Sequence, residues 1–225
     1  MTQTPIHPAA TVILMRDTDG DRKVLMGQRG AKAAFMPNKF VFPGGRLDAG
    51  DHGISLATPL PTICQTRLSE DCDGVGPTAL ATCAIRELWE ETGLILGEPG
   101  DWTDAHDDWQ GFAAQGFRPA ADGLSFVFRA VTPPGRPRRF GARFFLADAA
   151  KLSNDPDDFT FATDELSHLQ WVSLTEARQL NLPFITDVVL GELQAMPYAG
   201  PPDTIPYFKN DDDRIVFDRL GGSQP

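Results

Sequence analysis

Arg86-Glu87-Leu88-Trp89-Glu90-Glu91-Thr92-Gly93-Leu94 places four charged side chains within six residues, in a run that otherwise reads as a good helix. A helix turns about 100° per residue, so Glu87 shares a face with Glu91 one turn on and lies close to Glu90. Three carboxylates crowded on one face repel one another unless something positive sits among them. A hard divalent cation with oxygen ligands answers that need, because Mg2+ takes a few carboxylates together with substrate phosphate oxygens. Gly93 suits the left-handed residue that closes a helix, and Leu94 can pack back over the last turn.

Working outward, Ala9 to Arg16, Lys23 to Arg29 and the short Lys39 to Phe42 read as strands, the first two joined by turn residues at Asp17 to Asp21. Pro43-Gly44-Gly45 follows the third and lets backbone approach a ligand without side-chain obstruction. His52 to Pro77 is rich in Pro and Gly and reads as an inserted loop, with a helical piece around Ile63 to Leu68. Thr78 is the expected N-cap of a helix over Ala79 to Thr92. Gly97 to Asp122 shows no clear period. Further strands are expected at Leu124 to Val131, Arg139 to Ala147, His168 to Ser173 and, late in the chain, Arg214 to Leu220. Ser173 or Thr175 should cap a helix through Leu180, and Ile185 to Met196 reads as an amphipathic helix. Such an order predicts an α/β sandwich with a mixed sheet instead of regular βαβ alternation.

The chain has 225 residues, a length that one domain with a real core can fill. Its formal net charge of −11 argues against nucleic acid as a partner, and an anionic substrate would need bound cations to reverse the sign locally. Cys64, Cys72 and Cys83 have no metal-ligand spacing. An odd cysteine count without a framework points to a reducing, cytoplasmic setting. Met1 to Ala10 lacks the pattern of a signal peptide, and no run is apolar enough to span a bilayer, so no membrane partner is expected. No G-x-G-x-x-G and no P-loop are present.

The acidic stretch and its surroundings resemble the Nudix hydrolases, whose box reads G-x5-E-x7-R-E-U-x-E-E-x-G-U with U bulky and aliphatic. Arg86, Glu87, Leu88, Glu90, Glu91, Gly93 and Leu94 match its second half completely. Gly45 matches the opening glycine, and Asp51 stands where the family has Glu. Between Asp51 and Arg86 lie 34 residues where the box has seven, an insertion of 27. An interrupted box, with Ala9 to Leu14, Phe35-Met36-Pro37, Val41 to Gly45, Arg138-Arg139-Phe140 and Arg143 to Leu146, resembles the branch that includes peroxisomal coenzyme A diphosphatases. The similarity runs from about residue 9 to about 190.

The resemblance implies an α/β/α sandwich of Nudix type with the box as loop-helix-loop, formed by residues 1–225 as one domain. The insertion at about 52–77 and a C-terminal extension at about 197–225 would decorate it. It implies hydrolysis, dependent on Mg2+ or Mn2+, of the pyrophosphate bond in a nucleoside diphosphate linked to another moiety. Coenzyme A or an acyl ester is the expected substrate; ADP-ribose, NADH and dinucleoside polyphosphates are the alternatives, as is a non-catalytic nucleotide-binding module. Catalytic duty is expected at Glu90, Glu91, Arg86 and Glu165. Cation ligation is expected from Glu87, Glu90, Glu91, Glu165 and the Gly44 carbonyl, the last explaining a glycine there. Arg86 is expected to orient a carboxylate through a bidentate pair, with Asp51 as its partner or as a water-mediated ligand. Gly45, Asp51 and Gly93 shape the motif. Glu165, six residues before Trp171, is favoured over Asp164. Residues that contact the substrate are unassigned, although the aromatics between Trp102 and Phe128 could stack an adenine. Arg29, Lys39, Arg46, Arg138 and Arg139 are expected in ordinary surface or ion-pair roles, and Trp89 in the core. The insertion reads as a lid over the site or as a disordered ornament, and its place beside the acidic helix favours the lid. Similar proteins are often homodimers, but the sequence carries no interface signature.

Overall fold

The computed structural model describes residues 4–196, 201–211 and 214–221. Both ends of the expected C-terminal extension therefore lie partly outside the described residues. In chain order the strands are β1 (Ile6–Thr18), β2 (Asp21–Arg29), β3 (Phe40–Val41), β4 (Gly44–Arg46), β5 (Gly97–Pro99), β6 (Phe117–Pro119), β7 (Ser125–Val131), β8 (Arg139–Asp148), β9 (Leu166–Ser173), β10 (Ile205–Asp211) and β11 (Arg214–Leu220). The α-helices are α1 (Thr62–Ser69), α2 (Pro77–Thr92), α3 (Gln110–Ala113), α4 (Leu174–Ala177) and α5 (Phe184–Ala195).

The large sheet runs in the order β11-β10-β7-β8-β1-β2-β3, with β4 also paired to β1 and β9 to β2. It is mixed: β1 runs parallel to β8 and β10 parallel to β7, and the remaining pairs are antiparallel. β1 is apolar without alternation because both of its faces are covered. Ala10, Val12 and Leu14 pack with Leu80, Ala84 and Leu88 of α2, while Ile13 and Met15 pack with Val189, Leu190 and Leu193 of α5. Each such buried aliphatic side chain contributes roughly 1.5–3 kcal/mol relative to exposure. The result is the expected α/β/α sandwich.

α2 begins two residues earlier than the sequence suggested. Gly76 is the N-cap and Pro77 the first helical residue, so Thr78 lies inside the helix. Pro suits that place because its missing N–H is one the helix cannot use, and its fixed φ is already helical. At the other end Gly93 is left-handed, with φ 73°, and its N–H donates to the Trp89 carbonyl at 2.7 Å.

The insertion is packed into the structure and is not a loose ornament. Leu60, Cys64 and Leu68 recur at helical spacing and join Val75 in the core layer beneath α2. Arg67 of α1 donates to the carbonyls of Pro202 at 2.5 Å and Asp203 at 2.7 Å, which fastens the insertion to the C-terminal hairpin. β10, absent from the sequence reading, is the inner strand of that hairpin. The stretch without a clear period, Gly97 to Asp122, holds the β5-β6 pair, and Trp109 and Phe112 from it are buried in the same layer.

A Cβ at Gly93 would meet the Phe161 Cβ at 2.9 Å in a backbone conformation that L side chains rarely adopt. Gly93→Ala should lower stability by about 1–2 kcal/mol, measured in urea as a lower midpoint with an unchanged slope.

Candidate active site

β4 and the C-terminal half of α2 bring the two halves of the box together. Gly44 and Gly45 pair with Thr11 and Ala10 of β1. A side chain at Gly44 would run into the Ala10 carbonyl oxygen, 2.5 Å from the added Cβ, so contact with β1 is enough to require glycine there. At Gly45 the added Cβ would lie 2.5 Å from the Glu87 carboxyl carbon. Glycine is needed there because the carboxylate occupies the space.

Arg86 lies at the centre of the site and is 4% exposed. Its Nε and Nη2 donate to the two oxygens of Asp51 at 2.9 and 3.0 Å. Nη1 donates to Glu87 at 2.9 Å and to Glu90 at 3.0 Å, and Nη2 also reaches the Arg46 carbonyl at 3.1 Å. Of the two sequence expectations for Asp51, the arginine partner is the arrangement found. Asp51 is itself held by the Asp48 N–H, at 2.9 Å, in the 3-10 turn Ala49–Gly53. Arg86 is saturated by these contacts and acts as a positioning residue.

Glu91 is 1% exposed. One oxygen accepts from the Gly44 N–H at 2.7 Å, and the other is buried with no hydrogen-bond partner. Burial, with Glu87 nearby, pushes its pKa well above the carboxylate range, and the Gly44 bond only partly opposes this. Burial likewise lifts Glu87 to about 7 against the pull of Arg86, with Glu90 and Glu165 adding to the rise. Glu90, the outermost of the three, is raised by burial as well, with Arg86 again opposing and Asp108 adding.

Glu165 comes in from the start of β9. It accepts from Arg29 Nη2 at 2.9 Å and is close enough for its charge to raise both Glu87 and Glu91. Its side chain is largely exposed and does not touch the three helical carboxylates.

Arg29, expected in a surface or ion-pair role, pairs with Glu165 at 2.9 Å. Sequence reading missed Asp108, which adds to the acidic field from the segment before α3 and has His106 at 3.2 Å. Asp108 had no local signal, because it approaches from a distant part of the chain. Lys39 bonds Asn181 and the Leu182 carbonyl. Arg139, expected at the surface or in an ion pair, is buried, and it bonds the carbonyls of Thr132 and Asn210. Trp89 is buried against Phe112 and Phe161, and all three cysteines are free thiols.

Among the described residues, no three carboxylate, imidazole or thiol groups converge tightly enough to enclose an ion. Glu87 and Glu90 turn toward Arg86, and Glu91 turns toward Gly44. The donor set still fits a hard cation. Three carboxylates, of Asp51, Glu87 and Glu90, share one guanidinium, and a buried oxygen of Glu91 has no partner.

A carboxyl whose folded pKa lies above its unfolded value stabilises the fold at low pH and loses that contribution as pH rises through the folded pKa. For Glu87 the window runs from the unperturbed 4.5 to about 7. Thermal unfolding in EDTA should therefore give a falling melting temperature across that window. Mg2+ or Mn2+ should flatten the fall, and Glu87→Gln should remove much of it.

A family model for the NUDIX domain matches residues 74–190, just over half of the chain. A putative nudix hydrolase 7 of Caenorhabditis elegans is 29% identical over 209 residues, covering 88% of this chain and 57% of that protein. An acyl-coenzyme A diphosphatase, NUDT19, of Xenopus laevis is 31% identical over 115 residues, covering 42% of this chain and 30% of that one. The chain thus spans little more than half, at most, of the length of these curated relatives. The crystal structure of a NUDIX hydrolase from Alicyclobacillus acidocaldarius superposes with a TM-score of 0.67 at 29% identity, covering 87% of this chain and 94% of that one. The family match begins just ahead of α2 and takes in the whole acidic helix, and the fold around that helix is shared with a solved member. This chain belongs to the Nudix hydrolase family.

Proposed function

We propose that the chain hydrolyses the pyrophosphate bond of a nucleoside diphosphate joined to another group, in the presence of Mg2+ or Mn2+, with coenzyme A or an acyl-coenzyme A as substrate. The carrying observation is the charge imbalance at the C-terminal half of α2, where Arg86 alone faces Asp51, Glu87 and Glu90 while a buried Glu91 oxygen has no partner. Under this reading residues 1–225 work as a single catalytic domain, with the insertion and the C-terminal hairpin docked onto it.

Glu87, Glu90 and Glu91 are the principal cation ligands, and the Gly44 carbonyl and Glu165 complete the set. A bound divalent cation neutralises charge on the departing phosphate and acidifies the attacking water. Arg86 and Asp51 keep Glu87 and Glu90 in register with the glycine turn. The Gly44 N–H fixes one Glu91 oxygen and leaves the other directed inward. Glu165, held by Arg29, accepts a proton from the attacking water under this reading, which its charge interaction with Glu87 and Glu91 supports. Trp89 packs between Phe112 and the more exposed Phe161 on the side of α2 away from the carboxylates.

The coenzyme A assignment is supported by the interrupted box and by the partial similarity to an acyl-coenzyme A diphosphatase. The full set of box carboxylates speaks for an enzyme over a nucleotide-sensing module, which has no need of them.

The test is a phosphate-release screen with Mg2+ and with Mn2+ over coenzyme A, acetyl-coenzyme A, ADP-ribose, NADH and diadenosine polyphosphates. Cleavage of the coenzyme A compounds alone is the expected result. Preference for ADP-ribose or NADH would keep the chemistry and discard the substrate. Glu91→Gln should lose at least about a hundredfold in kcat/KM while its melting temperature in EDTA holds or rises, since a buried charge is removed. Full activity in that variant would sink the mechanism.

A further inference from the structure

A second cluster of buried charge lies on the α2 face of the sheet, away from the acidic half of the helix. Arg129 of β7 and Arg143 of β8 are opposed cross-strand partners, each 1% exposed. Arg143 pairs in register with Ala10, whose other neighbour is Gly45, so both arginines share a row of the sheet with the glycine turn of the active site.

The loop after α1 covers them. Asp73 Oδ2 accepts from Arg129 Nη2 at 2.7 Å and from Arg143 Nη2 at 3.3 Å. Backbone carbonyls fill other positions: Cys72 for Arg143, and Glu70 and Asp71 for Arg129. The Tyr207 ring lies against the Arg129 guanidinium at 4.4 Å. Arg129 Nε is buried and has no hydrogen-bond partner. Asp71, 3.9 Å from Arg129, is shared with Lys209 at 3.2 Å.

Among the described residues three cations thus meet two carboxylates, an excess of one positive charge in a chain whose net charge is −11. The layering is equally informative. The Asp73 side chain is 56% exposed, so one carboxylate oxygen at the surface is the outer cap over two buried guanidinium groups. The loop's buried anchors, Leu68 and Val75, lie on either side of Asp73 in sequence and are separate from its side chain's contacts.

The geometry points to an anion site for a phosphate monoester, formed by Arg129 and Arg143 and closed in the free chain by Asp73. A tetrahedral dianion supplies separate oxygens to the two guanidinium groups, where Asp73 divides one oxygen between them, and its second charge matches the local excess. The ligand has two sources: a phosphate monoester carried on the substrate, or free inorganic phosphate.

The site itself is tested by titrating inorganic phosphate, against chloride at equal ionic strength, into the metal-free chain in EDTA. Without a cation, the acidic site repels phosphate. Asp73→Asn should bind phosphate about tenfold more tightly than the unaltered chain, equivalent to about 1.4 kcal/mol, and should gain melting temperature with phosphate but not with chloride. Adding Arg143→Gln should abolish the gain. If phosphate and chloride act alike on Asp73→Asn, Asp73 is a structural latch and the proposal fails. That comparison decides even if the double variant does not fold.

A second arm identifies the source, and this arm rests on the coenzyme A reading. Coenzyme A carries a 3′-phosphate that dephospho-coenzyme A lacks. If that group occupies the site, Arg143→Lys should bring the KM values of the two compounds several-fold closer together. An unchanged KM ratio assigns the site to free phosphate. Hydrolysis of neither compound would refute the substrate reading while the EDTA titration still decides the anion site.

Discussion

The active site depends on the fork of donors that Arg86 presents. One planar guanidinium reaches both oxygens of Asp51, one oxygen each of Glu87 and Glu90, and the Arg46 carbonyl. It therefore ties α2 to the turn that follows β4, two segments separated by the whole insertion. A lysine could not do this, because an ammonium lacks the flat fork that holds a carboxylate by two parallel bonds. Burying such a pair adds little net stability, since desolvation costs about as much as the attraction returns. What it contributes is placement: Arg86 holds the Glu87 carboxylate in the space beside Gly45 that any side chain there would fill.

Glu91 shows the opposite condition, and the two belong together. Arg86 neutralises the outer carboxylates, but nothing comparable reaches the inner one, which has a single backbone donor and an oxygen without a partner. A buried polar atom in this state is costly, and folds tolerate it where the surroundings fix the backbone. Here those surroundings are the two core layers on either face of β1. The α2 layer holds the helix against the sheet over its full length, so the carboxylates cannot relieve their repulsion by shifting the helix. The energy needed to hold negative charge together comes from aliphatic packing elsewhere.

These features differed in how far the sequence could disclose them. The acidic helix, its glycine stop, the β1–β2 hairpin and the strands at β7 and β8 rest on local patterns and were legible to within a residue or two at most boundaries. The Arg86–Asp51 pair was legible as one of two alternatives, because a bidentate partner is a chemical expectation independent of chain distance. What escaped depends on remote partners. β10 exists because it pairs with β7 and β11, and Trp109 is buried because the layer under α2 has room for it, although its neighbours look polar. An ion-pair role for Arg29 was expected, but not its partner Glu165, 136 positions away in sequence. Thr78 was misplaced for a local reason, since a proline at the first helical position outranks a hydroxyl one residue later.

The insertion brings these strands of argument together. Lengthening the loop between Asp51 and Arg86 from seven residues to 34 costs only about 1.4 kcal/mol of closure entropy, because that cost grows with the logarithm of length. Length was therefore no obstacle to keeping the box intact. Ordering the added residues costs far more, on the order of 1–2 kcal/mol for each backbone position fixed, and needs contacts of its own. Leu60, Cys64, Leu68 and Val75 supply apolar burial, Arg67 captures two carbonyls of the C-terminal hairpin, and Asp73 caps Arg129 and Arg143. Those partners lie on β7, β8 and the hairpin, not on the carboxylates of α2. Anchored in this way, the insertion closes over two buried arginines in the same sheet row as the glycine turn, and its ordering is offset by contacts of its own instead of contacts with the acidic helix.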